Sequence, residues 1–164
     1  MKWPRLLLLA LVVGLLAWAW VALHPSPEKL IRKQMDGLAH AASFGPNQGA
    51  LAKLAGAENL ANFFSTNVEI KIDIPGHQEH RLMSRSEIPQ VAMGVRASVR
   101  SWSVAFPDVT VIVNAGQESA VADATLQVKI AGEPDMIVQE VNISLRKING
   151  QWLIDKVETV RTLQ

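Results

Sequence analysis

At 164 residues the chain has room for one domain and an appendage. Without cysteine it can hold neither a disulfide framework nor a thiolate metal site. Two of its 16 Lys and Arg residues, Lys2 and Arg5, belong to the appendage, which leaves 14 basic against 15 acidic side chains, a balance of −1. A nucleic-acid binder carries a basic excess, so no nucleic-acid partner is expected.

The appendage opens as Met1-Lys2-Trp3-Pro4-Arg5 and continues through residues 6–23, 18 positions without a charge. As a helix that run would measure about 27 Å, close to the hydrocarbon thickness of a bilayer. Trp3 stands before it and Trp18 and Trp20 near its far end, where indole rings favour the membrane interface. Lys2 and Arg5 favour a cytoplasmic N-terminus. The expectation is an uncleaved signal anchor over residues 1–24, single-pass in a bacterial inner membrane, holding a domain of residues 25–164 on the periplasmic side. The competing reading is a cleaved signal peptide ending at Ala17-Trp18-Ala19, after which the domain is secreted.

Ser26, Pro27 and Glu28 are an N-cap, a first-turn proline and a dipole-compatible acid, so a helix starts here and runs to about Ser43. Ile31, Met35, Leu38 and Ala42 form its apolar face, with His40 on the solvated side. After Phe44-Gly45-Pro46-Asn47 a second, alanine-rich helical region spans residues 49–64, interrupted near Gly56. Leu51, Leu54, Leu60, Phe63 and Phe64 are its expected core residues. Strict alternation from Val68 to Ile74 predicts a half-buried strand, with residues 80–83 returning after Pro75-Gly76. Ser86 is the expected cap of a third helix over residues 86–101, whose buried stripe is Ile88, Val91, Ala92, Val95 and Val99. Three long strands follow. Residues 102–114 carry a kink at Phe106-Pro107-Asp108; residues 120–130 put Ala120, Ala122 and Ala124 on one face; residues 136–162 fold into a hairpin at Asn149-Gly150, the strongest short-range hairpin signal.

Helices first and strands late read as α+β. The element order, Phe63-Phe64-Ser65-Thr66-Asn67-Val68, Ser86-Glu87-Ile88, the alanine strand and Asn149-Gly150-Gln151-Trp152-Leu153-Ile154 together resemble the nuclear transport factor 2-like superfamily, including SnoaL-like and ketosteroid isomerase-like domains. The resemblance covers residues 27–163. It implies a cone-shaped α+β barrel, a curved antiparallel sheet packed on three helices, and it names no activity.

Ketosteroid isomerase-like members use an Asp base on the first strand with a Tyr and a protonated Asp as oxyanion donors. Asp73-Ile74-Pro75-Gly76 is superficially similar, but alternation turns Asp73 away from the core, and the chain has no tyrosine. His77-x-x-His80 lacks a third ligand at a fixed spacing, so no metal or other cofactor is expected. Arg81, Arg85, Arg96 and Arg100 read as a solvated helix side rather than an anion site. Asn142-Ile143-Ser144 matches a glycosylation acceptor inside a strand and is discounted. The alanines either leave a cavity for a small apolar ligand or let a helix approach closely, and the close packing of interiors favours the second. Any cavity would be lined by Ile72, Val95, Ala122, Ala124, Ile143 and Trp152, an apolar set poor in catalytic groups. The expected role is a non-catalytic binding or assembly module that meets the membrane through residues 6–23 and takes a protein partner or a second copy. The alternatives are an exported SnoaL-like enzyme and a small apolar ligand-binding protein.

Overall fold

The computed structural model describes residues 11–14, 26–74 and 77–160, the side chains of Ile74 and His77 excepted. The expected anchor over residues 6–23 falls outside that range save for residues 11–14, which are helical. Among the described residues no helix is long and apolar enough to cross a membrane.

Helix α1 (Pro27–Ala42) begins where the capping residues place it, Ser26 accepting a hydrogen bond from the Lys29 amide at 3.4 Å. It buries Ile31, Met35, Leu38 and Ala41. Ala41 takes the place expected for Ala42, which is half-buried. Helix α2 (Ala50–Ala61) is continuous through Gly56. It buries Ala57 and Ala61 rather than Leu51 and Leu54, both of which face outward. Leu60, Phe63 and Phe64 do pack against the core. The helix is therefore turned so that small residues meet its neighbours.

The seven strands β1 (Phe64–Ile74), β2 (His77–Ser84), β3 (Trp102–Ala105), β4 (Val109–Val113), β5 (Ser119–Ile130), β6 (Ile137–Ile148) and β7 (Gln151–Thr159) form one sheet, ordered β2-β1-β7-β6-β5-β3 with β4 also on β5. Its pairing is mixed rather than wholly antiparallel. β1 runs parallel to β7, Ile70 opposite Val157. Most of the chain separates these two strands, so no hairpin dictates their direction. The kink at Phe106-Pro107-Asp108 splits the expected long strand in two. Val104 pairs with Val128 and Val111 with Ala122, both on β5. At the β6–β7 hairpin Asn149 and Gly150 have φ of 51° and 81°, both left-handed, as a type I′ turn requires.

Helix α3 (Ile88–Ser98) starts one residue later than expected. Ser86 bonds Ser84 through their hydroxyls at 2.5 Å instead of capping, while the Glu87 carboxylate accepts from the Ser84 amide at 2.7 Å. Its buried residues are Ile88 and Arg96; Val91 is exposed, and Ala92, Val95 and Val99 are half-buried. Arg96, expected in water, is only 4% exposed. Its guanidinium donates to the Ala41 carbonyl at 2.8 Å and to the Lys53 carbonyl, and lies 5.7 Å from the Phe44 ring centroid. The unpaired carbonyls at the end of α1 form the negative pole of that helix, so they offer a buried cation what a carboxylate would. Desolvation pushes the guanidinium pKa down, yet arginine stays charged.

Gly56 makes this possible, since a Cβ there would stand 2.9 Å from Arg96 Nη1. Gly56→Ala should therefore lower the unfolding midpoint, although alanine is the better helix former by about 1 kcal/mol. In an Arg96→Ala background the same change should raise it. Denaturant unfolding of the four chains checks that reversal of sign, and equal effects in both backgrounds would refute the clamp.

Candidate functional site

Side chains of α1 and of the sheet meet in one buried cluster, and beside it a cavity of about 650 Å³ is bordered by Leu30 and Gln34 of α1, Phe63, and Trp152 of β7. Ala120, Ala122 and Ala124 project only methyl groups, and Ile31, Met35 and Leu38 of α1 share one buried cluster with them and with Val141, Ile143, Leu145, Trp152 and Ile154. Of the six expected lining residues, Ala122, Ala124, Ile143 and Trp152 come together here, each at most 3% exposed. Ile72 and Val95 are half-buried and lie outside the cluster. Side chains of α1 also reach the sheet on both sides, Arg32 donating to the Val109 carbonyl of β4 and Gln34 to the Trp152 carbonyl of β7. Among the described residues, the buried polar or charged side chains are Ser65 and Arg96. Ser65 is occupied by the Asn67 carbonyl at 2.6 Å.

Polar groups gather instead on the opposite face of the sheet, and a bulge puts them there. Leu145 pairs with Ile154 but Ser144 pairs with Lys156, so Asp155 is an extra residue on β7. Ile154 faces the core, and beyond the bulge Val157 packs inward, which sends Lys156 and Glu158 outward. Across the parallel pair Glu69 stands opposite Lys156 and Lys71 opposite Glu158. The four charges alternate in sign in both directions. Lys71 Nζ lies 3.2 Å from Glu69, His80 Nε2 lies 2.8 Å from the same carboxylate, and Lys156 pairs with Glu158. The bond from Lys71, then that from His80, holds Glu69 below the usual carboxylate range; Lys156 does the same for Glu158 and is itself raised by it. An open trough of about 890 Å³ runs beside this array, bordered by Lys71, Ile72, Asp73, His80, Asn142 and Glu158. Such a surface suits a polar, charge-patterned partner. Its groups are too wet for strongly perturbed acid–base chemistry.

A strict period of two continued from Trp152 and Ile154 would turn Lys156 inward, so alternation alone does not place this array. The three-residue step from Ile154 to Val157 was the available signal.

The remaining candidates disperse. Asp73 accepts from Gln78 Nε2 at 3.0 Å beside the trough, away from the core cluster. The His77 side chain lies outside the described residues and His80 is engaged by Glu69, and among the described residues no three His, Asp or Glu side chains are placed to hold a metal. Arg81 pairs with Glu87 at 3.4 Å, Arg85 donates to Asn62 Oδ1 at 2.6 Å, and Arg96 is buried elsewhere.

No known family profile and no curated protein matches the chain. Solved structures do. A nuclear transport factor 2-like protein with a cystatin-like fold from Novosphingobium aromaticivorans superposes with a TM-score of 0.61 at 15% identity, over 92% of this chain and 86% of that one. A protein of unknown function with a cystatin-like fold from Nostoc punctiforme gives 0.58 at 14% identity, over 83% and 92%. The domain has the nuclear transport factor 2-like fold. A proposed scytalone dehydratase from Novosphingobium aromaticivorans shares it, with a TM-score of 0.61 at 14% identity over 83% and 84% of the two chains. At such identities the likeness is one of fold alone.

Two expectations follow from this nuclear transport factor 2-like interior and its charged outer face. Ala122→Leu forces three extra carbons into a filled space and should cost about 1–3 kcal/mol in denaturant unfolding, whereas an open cavity would absorb them at little cost. Glu69 and Glu158 are held below their ordinary 4.5, so their pairs stabilise the fold above that value and lose the contribution as pH falls through the lowered folded values. Thermal midpoints should drop on that acid limb, and the drop should shrink in Glu69→Gln and at high salt, where exposed charges are screened.

Proposed function

We propose that the chain is a non-catalytic binding or assembly module, held at the periplasmic face of a bacterial inner membrane by residues 6–23. The observation that carries this reading is the content of the interior. Acid–base chemistry in a fold of this kind calls for carboxylate or imidazole groups in a dry pocket, with their pKa values moved towards the working pH. Here the buried polar and charged side chains among the described residues are Ser65 and Arg96, both occupied by backbone carbonyls. The recognition surface in this reading is the outer sheet face, where Glu69, Lys71, Lys156 and Glu158 form an alternating array beside the open trough. Charge patterns of this type select partners and orient them more than they add affinity. The dehydratase named among the structural neighbours shares the framework, and its activity is not carried over to this chain.

The anchor half of the reading rests on the uncharged run of residues 6–23 and on Lys2 and Arg5 before it. Fusing the full chain at its C-terminus to alkaline phosphatase and, separately, to green fluorescent protein tests it. Active phosphatase, a dark fluorescent fusion and retention in carbonate-washed membranes are expected. A fluorescent fusion in the soluble fraction would overturn the assignment, and active phosphatase free of the membrane would replace the anchor with a cleaved signal.

A further inference from the structure

Helix α2 turns an apolar face away from the protein. Leu51 is 84% exposed, the most of any described large apolar side chain, and Leu54 is 45% exposed. Ala50, Ala52 and Ala55 complete the surface. From Gly37 to Ala57 the sequence carries a single formally charged side chain, Lys53. A surface helix in water places charged groups on its outer side, and the first half of α2 does not. Nor can the helix roll this face inward. Ala57 and Ala61 are already buried, and Gly56 lies under the Arg96 guanidinium.

We infer that this face of α2 lies in the headgroup region of the same bilayer that holds residues 6–23. The inference rests on the anchor reading above and adds to it an orientation and a second membrane contact. The occupant follows first from where the apolar segment ends. Leu23 precedes Leu30 by seven residues, and Leu30 and Lys33 share the rim of one cavity with Asn59 and Asn62 at the far end of α2. Leu51, Leu54, Ala55, Glu58 and Asn62 follow helical spacing on one side of the helix. That stripe starts beside the beginning of α1 and reaches Leu51 about 17 Å further along. A chain leaving the bilayer at residue 23 therefore keeps the near end of the stripe within seven residues' reach of the membrane, and α2 lying along the surface brings Leu51 to it.

Charge points the same way. Lys29 and Lys33 are exposed on α1, and Lys33 borders the same cavity as Asn59 and Asn62 at this end of α2. Basic groups are attracted to anionic headgroups while leucines enter the acyl boundary, the arrangement of interfacial helices. Glu58, the acidic residue of the stripe, lies in its second half, near Ser84, Ser86 and Pro89. The seating is therefore shallow and tilted, with Leu51 deepest.

Because the chain lacks cysteine, single-cysteine labelling tests this cleanly. Leu51→Cys, Leu54→Cys and, on the opposite face of the sheet, Thr110→Cys each carry a nitrobenzoxadiazole label in the full chain. Vesicles of equal parts phosphatidylcholine and phosphatidylglycerol, with or without nitroxide-bearing lipid, receive the protein. Labels at 51 and 54 should shift to the blue and lose about half or more of their emission to the nitroxide, while the label at 110 does neither. Adding Leu51→Glu to the Leu54→Cys chain should release that label from the quencher and leave the protein on the vesicles. If the chain floats with the vesicles but 51 is quenched no more than 110, the second contact is refuted and the anchor stands. If the chain does not float, both fall together. A blue shift without nitroxide quenching means that protein covers α2, whether a second copy or the N-terminal segment, and overturns the lipid assignment.

Discussion

The apolar cluster shared by α1 and the sheet is the constraint on which the rest depends. Ala120, Ala122 and Ala124 bring only methyl groups to it, and Ile31, Met35 and Leu38 of α1 join Ile143, Leu145, Trp152 and Ile154 around them. Each of those larger side chains gains roughly 1.5–3 kcal/mol by leaving water, so the approach is strongly favoured. The backbone of α1 runs nearest to β3 and β4, and the side chains of the cluster occupy the space over the alanines of β5. The same cluster positions the rest of α1, so that Arg32 meets β4, Gln34 meets β7, and Ser43 at the helix end takes the Val104 amide of β3 at 2.8 Å.

The buried cluster is apolar, and the charged groups of the sheet stand on its outer face. One inserted residue, Asp155, decides what the outside contains. Without the bulge Lys156 would share the inward side of Ile154, and a charge in that apolar cluster would cost several kcal/mol. With it, Val157 supplies the inward apolar group and the two charges pair with β1. Arg146 fastens the bulge from the neighbouring strand, reaching Asp155 at 2.6 Å and 3.1 Å. The bulge thus serves the core and the surface at once.

How much of this could be read from the chain depends on the range over which each cause acts. Local causes were legible. The left-handed pair Asn149-Gly150, the cap at Ser26, the break at Pro107 and the inward alanines each follow from residues within a few positions. Of the candidate lining set, Ala122, Ala124, Ile143 and Trp152 meet in one buried cluster while Ile72 and Val95 do not join them. Three features were not legible, and each rests on contacts distant in sequence. The parallel pairing of β1 with β7 joins residues about ninety positions apart (Phe64 with Ile154). Arg96 looked solvated because its partners are carbonyls of two other helices, and carbonyls leave no trace in a side-chain pattern. Leu51 and Leu54 looked like core because they are leucines, yet the rotation of α2 is set by Gly56 and Ala57, the residues small enough to admit that arginine.

Those last two misreadings have one cause. A guanidinium that must reach two helix backbones needs a glycine to pass, and a helix that presents glycine and alanine inward has its leucines left on the other side. The outward direction of the apolar stripe is thus no accident of composition. Its direction is fixed by a buried cation, while its residue types remain free to vary, because Leu51 at 84% exposure contributes almost nothing to the core. A position whose orientation is enforced by the fold and whose side chain is not needed by it is where a second environment, rather than the protein's own interior, explains the residue found there.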